Sequence, residues 1–349
     1  MFLIFLIVCA CLFMSVKPTK KYNLLWADKP NADVIKGFFL LLVFLSHISG
    51  YYKFNTSYDL PYNVIRSLMG QTVVVAFLFF SGFGIMESIK NKEHYMDDFI
   101  TQRIIKLFVH FDIAVTMFLI VNWMLGKHIG IKKYVMALTT WGGIGNSNWY
   151  VTCIICCYLF SFVCYRSMPD KKFNTGSLIL LTSLCLNYML LLSKYRPYYC
   201  YDTILCYALG SAFSIYRERI TAYLSDFKRW CLVFGGAMFF CLIAVKYYRV
   251  LLIRVGYELS FCLVIVLLMM HLELRNNLPS RFLKYIGINL FGLYILQRIP
   301  MMALKDINCI ENKYIYVIVC FIITLVLNYG YKQLLKRVDA TFWQNNMNN

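Results

Sequence analysis

"DVIKGFFLLLVFLSHISGYY", residues 33–52, begins with an acid and a base, Asp33 and Lys36, runs ten residues without a charge, and closes its apolar run on His47. Such a run is near the length a helix needs to cross a bilayer, about 17 to 25 residues. Similar runs recur outward from it in both directions. They lie near 2–16, 35–51, 69–89, 104–125, 148–165, 176–193, 202–216, 230–247, 255–272, 286–304 and 314–331. The first and seventh are short. Composition agrees: the 349 residues are 60% hydrophobic and 15% charged, with a mean hydropathy of +0.61. Soluble domains are about half apolar and a quarter charged. The fold class implied is all-α, a polytopic membrane bundle of ten to eleven helices.

The distribution of charge gives the bundle two sides. Along an eleven-helix zigzag, the side holding residues 17–36, 90–106, 166–172, 217–229, 275–284 and 332–337 carries 22 of the 35 lysines and arginines. Positive loops stay in the cytoplasm, so the C-terminus is expected inside and the N-terminus outside. The opening apolar run has its lysines after it, at Lys17, Lys20 and Lys21. A cleaved signal carries its charge before the apolar run, so residues 1–30 read as a retained anchor helix and a basic loop. Residues 31–331 form the membrane domain and 332–349 a cytoplasmic tail. The net charge of +18 follows from this bias and suits anionic lipid headgroups, so no nucleic-acid partner is expected. The 14 cysteines fall mostly inside apolar runs, at no spacing suited to a metal, and read as small buried apolar residues.

What remains is a set of polar groups at membrane depth. Eleven residues at about 100° each return to within roughly 20° of three full turns, so Lys36 and His47 share a face, about 16 Å apart along the axis. Asp33 lies one turn before Lys36 and pairs with it on that face. Ionisable groups in a membrane face the bundle interior or a wet cavity. Two readings stand for His47: a general base in such a cavity, or a partner in an interhelical hydrogen bond. Ser81 and Gly82 interrupt an apolar helix, where small residues permit close approach. Arg103 and Lys106 lie three apart at the start of the next helix. They suit a phosphate-bearing ligand or a topological anchor, and His110 follows them. Asn146, Ser147, Asn148 and Trp149 form a capping signal or the polar lip of a site. Glu258 is expected to pair with Arg254, four residues before it. Tyr294, Gln297 and Arg298 read as interfacial anchors.

In this order the stretches resemble the acyltransferase family 3 membrane proteins. That family's opening helix reads Asp-x-x-Arg-Gly and runs on to a histidine, with ten residues between the arginine and the histidine. Here "DVIKG" and "FFLLLVFLSH" supply Asp33, Gly37 and His47, with Lys36 in the place of arginine. "FLFFSGF" resembles the family's Ser-Gly-Phe helix, with Ser81 and Gly82. "RIIKLFVHF" resembles its Arg-x-x-Arg pair, with Arg103 matching and Lys106 substituting, and without the usual proline. Trp149 opens a helix after a polar loop, as in the family. Gln297 stands where histidine is common near the end, so no catalytic role is carried there. The resemblance covers residues 31–331.

It implies a membrane-bound O-acyltransferase that moves an acetyl group from acetyl-CoA, a co-substrate rather than a bound cofactor, onto a hydroxyl of a cell-surface polysaccharide or glycolipid sugar. The implied partners are the acyl-CoA, the glycan or lipid-linked sugar acceptor and membrane lipids, in the plasma or inner membrane. His47 is then catalytic. Asp33, Lys36, Arg103, Lys106, Ser81 and Gly82 bind the donor or line the site, and His110 and Trp149 are further candidates. No metal is implied. The rival class is a non-enzymatic glycan-lipid transporter, whose polar groups line a path and which needs no acyl donor.

Overall fold

In the computed structural model, which describes residues 1–168 and 173–343, every one of the eleven apolar runs is helical. The chain opens with α1 (Phe2–Ser15), a short strand β1 (Val16–Pro18), α2 (Lys29–Ile48), α3 (Leu60–Met69) and α4 (Val75–Asn91). Next come α5 (Lys106–Met124), α6 (Ile131–Leu138), α7 (Trp149–Arg166), α8 (Thr175–Leu192), α9 (Leu205–Ile215) and α10 (Arg217–Leu224). The last third holds α11 (Phe227–Ala244), α12 (Leu251–Met269), strand β2 (Leu272–Leu274), α13 (Leu278–Ile288), α14 (Leu290–Leu296), α15 (Arg298–Ile307) and α16 (Lys313–Phe342). Among the described residues eight helices are long and apolar enough to cross a membrane, nine if the bent α13–α15 run counts as one span. Helices α1 and α9, at 14 and 11 residues, are shorter than the roughly 20 residues a crossing takes. Residues 169–172 of one basic loop and 344–349 of the expected tail lie outside the described residues.

Local signals explain several boundaries. Pro30 sits in the first turn of α2, where its missing N–H leaves nothing unsatisfied. Asn174 and Ser177 form a reciprocal capping box at the start of α8, and the side chains of Asp226, Asn277 and Asn312 accept backbone N–H bonds at the starts of α11, α13 and α16. The tenth apolar run, 286–304, is a correction to the sequence expectation of one span. It breaks at Asn289 and bends by 72°. The Asn289 amide donates to the Tyr285 carbonyl at 2.7 Å, and its oxygen accepts from Asn328 at 3.2 Å and Lys332 at 2.8 Å on α16. The freed polar groups therefore find partners inside the protein, the condition under which a helix breaks at membrane depth.

Two glycine pairs set the closest crossings. A Cβ on Gly37 of α2 would lie 1.9 Å from the Leu283 carbonyl oxygen of α13, and one on Gly287 of α13 would lie 1.8 Å from the Asp33 carbonyl. A Cβ on Gly82 of α4 would lie 2.1 Å from the Tyr207 carbonyl of α9, and one on Gly210 would lie 2.0 Å from that of Phe79. In each pair backbone touches backbone, so packing is gained without side-chain bulk. The small residue beside Ser81 thus serves packing on the back of α4.

The loops sort to two ends. At one end β1 pairs antiparallel with β2, Arg217 reaches the Leu24 carbonyl and Glu87, and Thr175 meets Tyr216. Lys106 meets Asp339 at the same end. These are the segments whose basic residues the alternation had grouped. At the other end Asp59 takes the Met1 ammonium and Lys313, and Lys127 meets Asp306.

Candidate active site

The helix α2 links the two ends. Near its start Lys36 Nζ lies 2.7 Å from Asp33 Oδ1, the pair expected from their spacing. The carboxylate is buried, whereas the ammonium is about a fifth exposed. It faces a hollow of about 550 Å³ at the basic end, lined also by Asp28, Ser81, Arg103, Tyr158 and Arg217. Glu87, another acid in that wall, takes Arg217 at 3.1 Å and the Ser214 hydroxyl at 2.6 Å.

A second cavity of about 340 Å³ lies deeper, and Ser81, Arg103 and Tyr158 line it too, so the two are adjoining lobes. Its wall continues through Lys106 and His110 to Phe77, Tyr150 and Tyr294. Arg103 stands at the junction. It is exposed, its Nε donates to Tyr95 Oη at 3.0 Å, and it forms no ion pair among the described residues. The backbone beneath it, Ile100–Ile105, is a π-turn, in which the Lys106 N–H reaches back five residues to Thr101. Such turns recur at functional sites. Sequence spacing alone had suggested an α-helical start. Lys106 is held differently from Arg103: Asp339 of α16 takes both Lys106, at 2.7 Å, and His110 Nε2, at 2.8 Å. One cation is already neutralised and the other is not.

His47 lies toward the far end of α2, and it lines neither lobe. Its ring centroid is 6.1 Å from that of Tyr294, which is 5.4 Å from that of Tyr150. One ring of the inner lobe's wall, Tyr294, thus reaches the imidazole, with Tyr150 packed on it. Around His47 the polar groups are buried and short of partners. His47 Nδ1 and Tyr294 Oη have no hydrogen-bond partner among the described residues, nor has Nδ2 of Asn146, the chain neighbour of Ser147. Beside them Arg298 donates to Tyr51 Oη at 3.3 Å and Ser147 Oγ at 3.4 Å, and Gln297 donates to the Tyr294 carbonyl at 3.0 Å. The bend at Asn289 delivers Tyr294 and Arg298 to this point. Residues read from sequence as anchors are therefore neighbours of His47, and no local spacing in the chain announces it.

Of the sequence candidates, Lys36, Ser81, Arg103, Lys106 and His110 share the two-lobed cavity, and Asp33 joins it through Lys36. Gly82 faces α9 instead, and Trp149 opens α7 on the rim of a separate hollow. Glu258 corrects a sequence expectation: it takes the Tyr248 hydroxyl at 2.9 Å, while Arg254 pairs with Asp202 at 3.3 Å. All fourteen cysteines are free.

With the geometry in hand, comparison with known proteins gives one positive result. A family model described as an acyltransferase domain, of the acyltransferase 3 type, matches residues 29–331, nearly the whole chain. No characterised protein and no solved structure matches.

Proposed function

The chain belongs to the acyltransferase 3 family, and from that premise we propose that it transfers an acetyl group from acetyl-CoA to a hydroxyl of a cell-surface glycan or lipid-linked sugar. The observation that carries this is the two-lobed cavity, which runs from an unpaired arginine at the basic end to the tyrosine pair beside His47. Coenzyme A is polyanionic, and Arg103 offers a planar donor fork suited to phosphate. Lys106 and Lys36, each held by a carboxylate, line the same cavity. The thioester arm extends along the inner lobe toward Tyr294, and along α2 the distance from Lys36 to His47 is about 16 Å.

His47 is the general base. It takes the proton of the acceptor hydroxyl as that oxygen attacks the thioester carbonyl. The carbon–sulfur bond breaks, coenzyme A leaves as its thiolate, and the proton passes to the sulfur. Arg298 and the Tyr294 hydroxyl lie where charge develops on the carbonyl oxygen, and donors held in place there stabilise it. The orphaned Nδ1 of His47 and hydroxyl of Tyr294 fit this account, because a buried polar atom without a partner costs about 1–3 kcal/mol unless a substrate atom completes it. The basic end faces the cytoplasm, by the excess of lysine and arginine in its loops, and that is the side on which acyl-CoA is made. The chain then sits in the plasma membrane with the His47 end outward.

The test is the O-acetyl content of the surface glycan, read by NMR in cells with the wild-type protein, with none, and with His47→Ala. General-base catalysis contributes about 10²–10⁴-fold, so the acetyl signals are expected to vanish in the last two. Three identical spectra at equal protein levels would refute acetylation of that glycan and bring glycan-lipid transport forward.

A further inference from the structure

A hollow among the described residues lies outside the acyl-transfer site. At the end opposite the basic loops, the segment before α7 and the turn after α8 enclose about 150 Å³, lined by Trp141, Asn148, Trp149, Arg196 and Tyr199 among others. A pyranose has an apolar C–H face and a rim of hydroxyls. Flat aromatic side chains suit the first, and an amide and a guanidinium suit the second. Small-molecule sites combine such apolar walls with a few placed polar groups.

Here the polar groups are held in advance. Asn148 Nδ2 donates to the carbonyls of Thr140, at 2.7 Å, and Gly142, at 2.6 Å, which fixes the direction of its oxygen. The Arg196 guanidinium lies 4.1 Å from the centroid of the Trp141 ring and donates to the Trp141 carbonyl at 2.6 Å. Arg196 comes from the turn after α8 and Trp141 from the loop before α7, so the contact ties the two walls together. Thr140 takes a left-handed φ of 61°, uncommon for a β-branched residue, and its carbonyl also accepts from Thr152 at 3.2 Å. Aromatic residues at a membrane interface are ordinary as scattered anchors. A concave wall whose amide and guanidinium are tied to its own loop is a different arrangement.

The hollow also has a route to the chemistry. The Trp149 ring is 6.0 Å from that of Tyr150, which packs on Tyr294, which packs on His47. His47 itself does not line the hollow. A sugar bound there is therefore not the sugar that is acylated. We propose that this hollow is a subsite for a pyranose residue flanking the acetylated one, so that the acceptor is an oligosaccharide and not a single sugar. The inference rests on the acetyl-transfer function proposed above. It makes single sugars poor acceptors and assigns the preference for longer ones to Trp141, Trp149 and Arg196.

The experiment uses the full chain in detergent. The probes are oligosaccharides released by mild hydrolysis from the surface glycan of the producing cells, and the single sugars from their complete hydrolysis. Two signals are read: quenching of tryptophan fluorescence, and transfer of labelled acetyl from acetyl-CoA. The variants are Trp141→Ala, Arg196→Ala and the conservative Trp149→Phe. Trp141 is about half exposed (49%) and Arg196 half-buried, so neither removal empties a core. The oligosaccharides are expected to quench the wild type saturably and the single sugars not. Trp141→Ala and Arg196→Ala are expected to raise the oligosaccharide KM tenfold or more, with acetyl-CoA affinity within twofold, and Trp149→Phe, which keeps a flat ring, is expected to raise it less than either. Acetyl transfer with the same oligosaccharide KM in wild type and both alanine variants would overturn the subsite and leave the acetyltransferase standing. Saturable quenching lost in Arg196→Ala, which keeps both tryptophans, with no acetyl transfer in any protein, would keep the subsite and overturn the transfer. Neither signal in the wild type would overturn both.

Discussion

The two ends of α2 handle polar groups in opposite ways. At the Lys36 end most charges are paired and partly wet: Lys36 with Asp33, Arg217 with Glu87, Lys106 with Asp339, while Arg103 and Lys29 form no ion pair among the described residues. At the His47 end the groups are neutral or shielded, buried, and short of partners: His47 Nδ1, Tyr294 Oη and Asn146 Nδ2. A wet ion-paired mouth has little to lose when a polyanion arrives, because exposed pairs are each worth about 0–1 kcal/mol. Buried polar atoms without partners are destabilising until something completes them. Binding energy thus belongs to the first end and chemistry to the second, and the Tyr150–Tyr294 pair links the inner lobe to His47.

The sharpest way to break that division is at Arg103. Its charge is free among the described residues, and a hydrogen bond to a charged group is worth about 1.5–3 kcal/mol. Arg103→Ala is expected to weaken acetyl-CoA binding by about 10- to 150-fold, measured by equilibrium binding to the purified protein. Lys106→Ala is expected to weaken it only several-fold, because Asp339 already holds that ammonium. Equal losses would mean that the pairing with Asp339 does not matter. Tyr294→Phe probes the other end. It removes a buried hydroxyl without a partner, so thermal stability should hold or rise by about 1 kcal/mol while acetyl transfer falls roughly tenfold, less than the about 10²–10³-fold of a lone oxyanion donor because Arg298 remains. Lower stability with full transfer would return Tyr294 to a packing role. The smallest effect is expected from Asp339→Asn. Releasing Lys106 and His110 should tighten acetyl-CoA binding by about threefold or less, the scale of a half-exposed ion pair. Weaker binding would show that Asp339 positions the lysine.

Where the sequence was informative, the interactions were local or repeated. The Asp33–Lys36 pair follows from three-residue spacing on one helix, and the grouping of basic loops from simple alternation along the chain. The same local rule failed at Glu258, because Asp202, far away in sequence, competes for Arg254 and wins. It could not reach Lys106 and Asp339, or His47 and Tyr294, since those contacts join segments more than two hundred residues apart. The break at Asn289 was equally hidden. It depends on Asn328 and Lys332 of α16 to satisfy the side chain that interrupts the helix. Ser81 and Gly82 are a middle case: the pair marked a close crossing, but only the fold shows that Ser81 faces the cavity while Gly82 faces Tyr207.

The division of labour is tested most directly by measuring acetyl-CoA affinity and acetyl transfer side by side for His47→Ala and Arg103→Ala. The account predicts a crossed result: His47→Ala binds acetyl-CoA as the wild type does and transfers nothing, whereas Arg103→Ala binds it poorly and recovers transfer when acetyl-CoA is raised. A His47→Ala protein that keeps transferring, or one that loses acetyl-CoA binding as Arg103→Ala does, would contradict it.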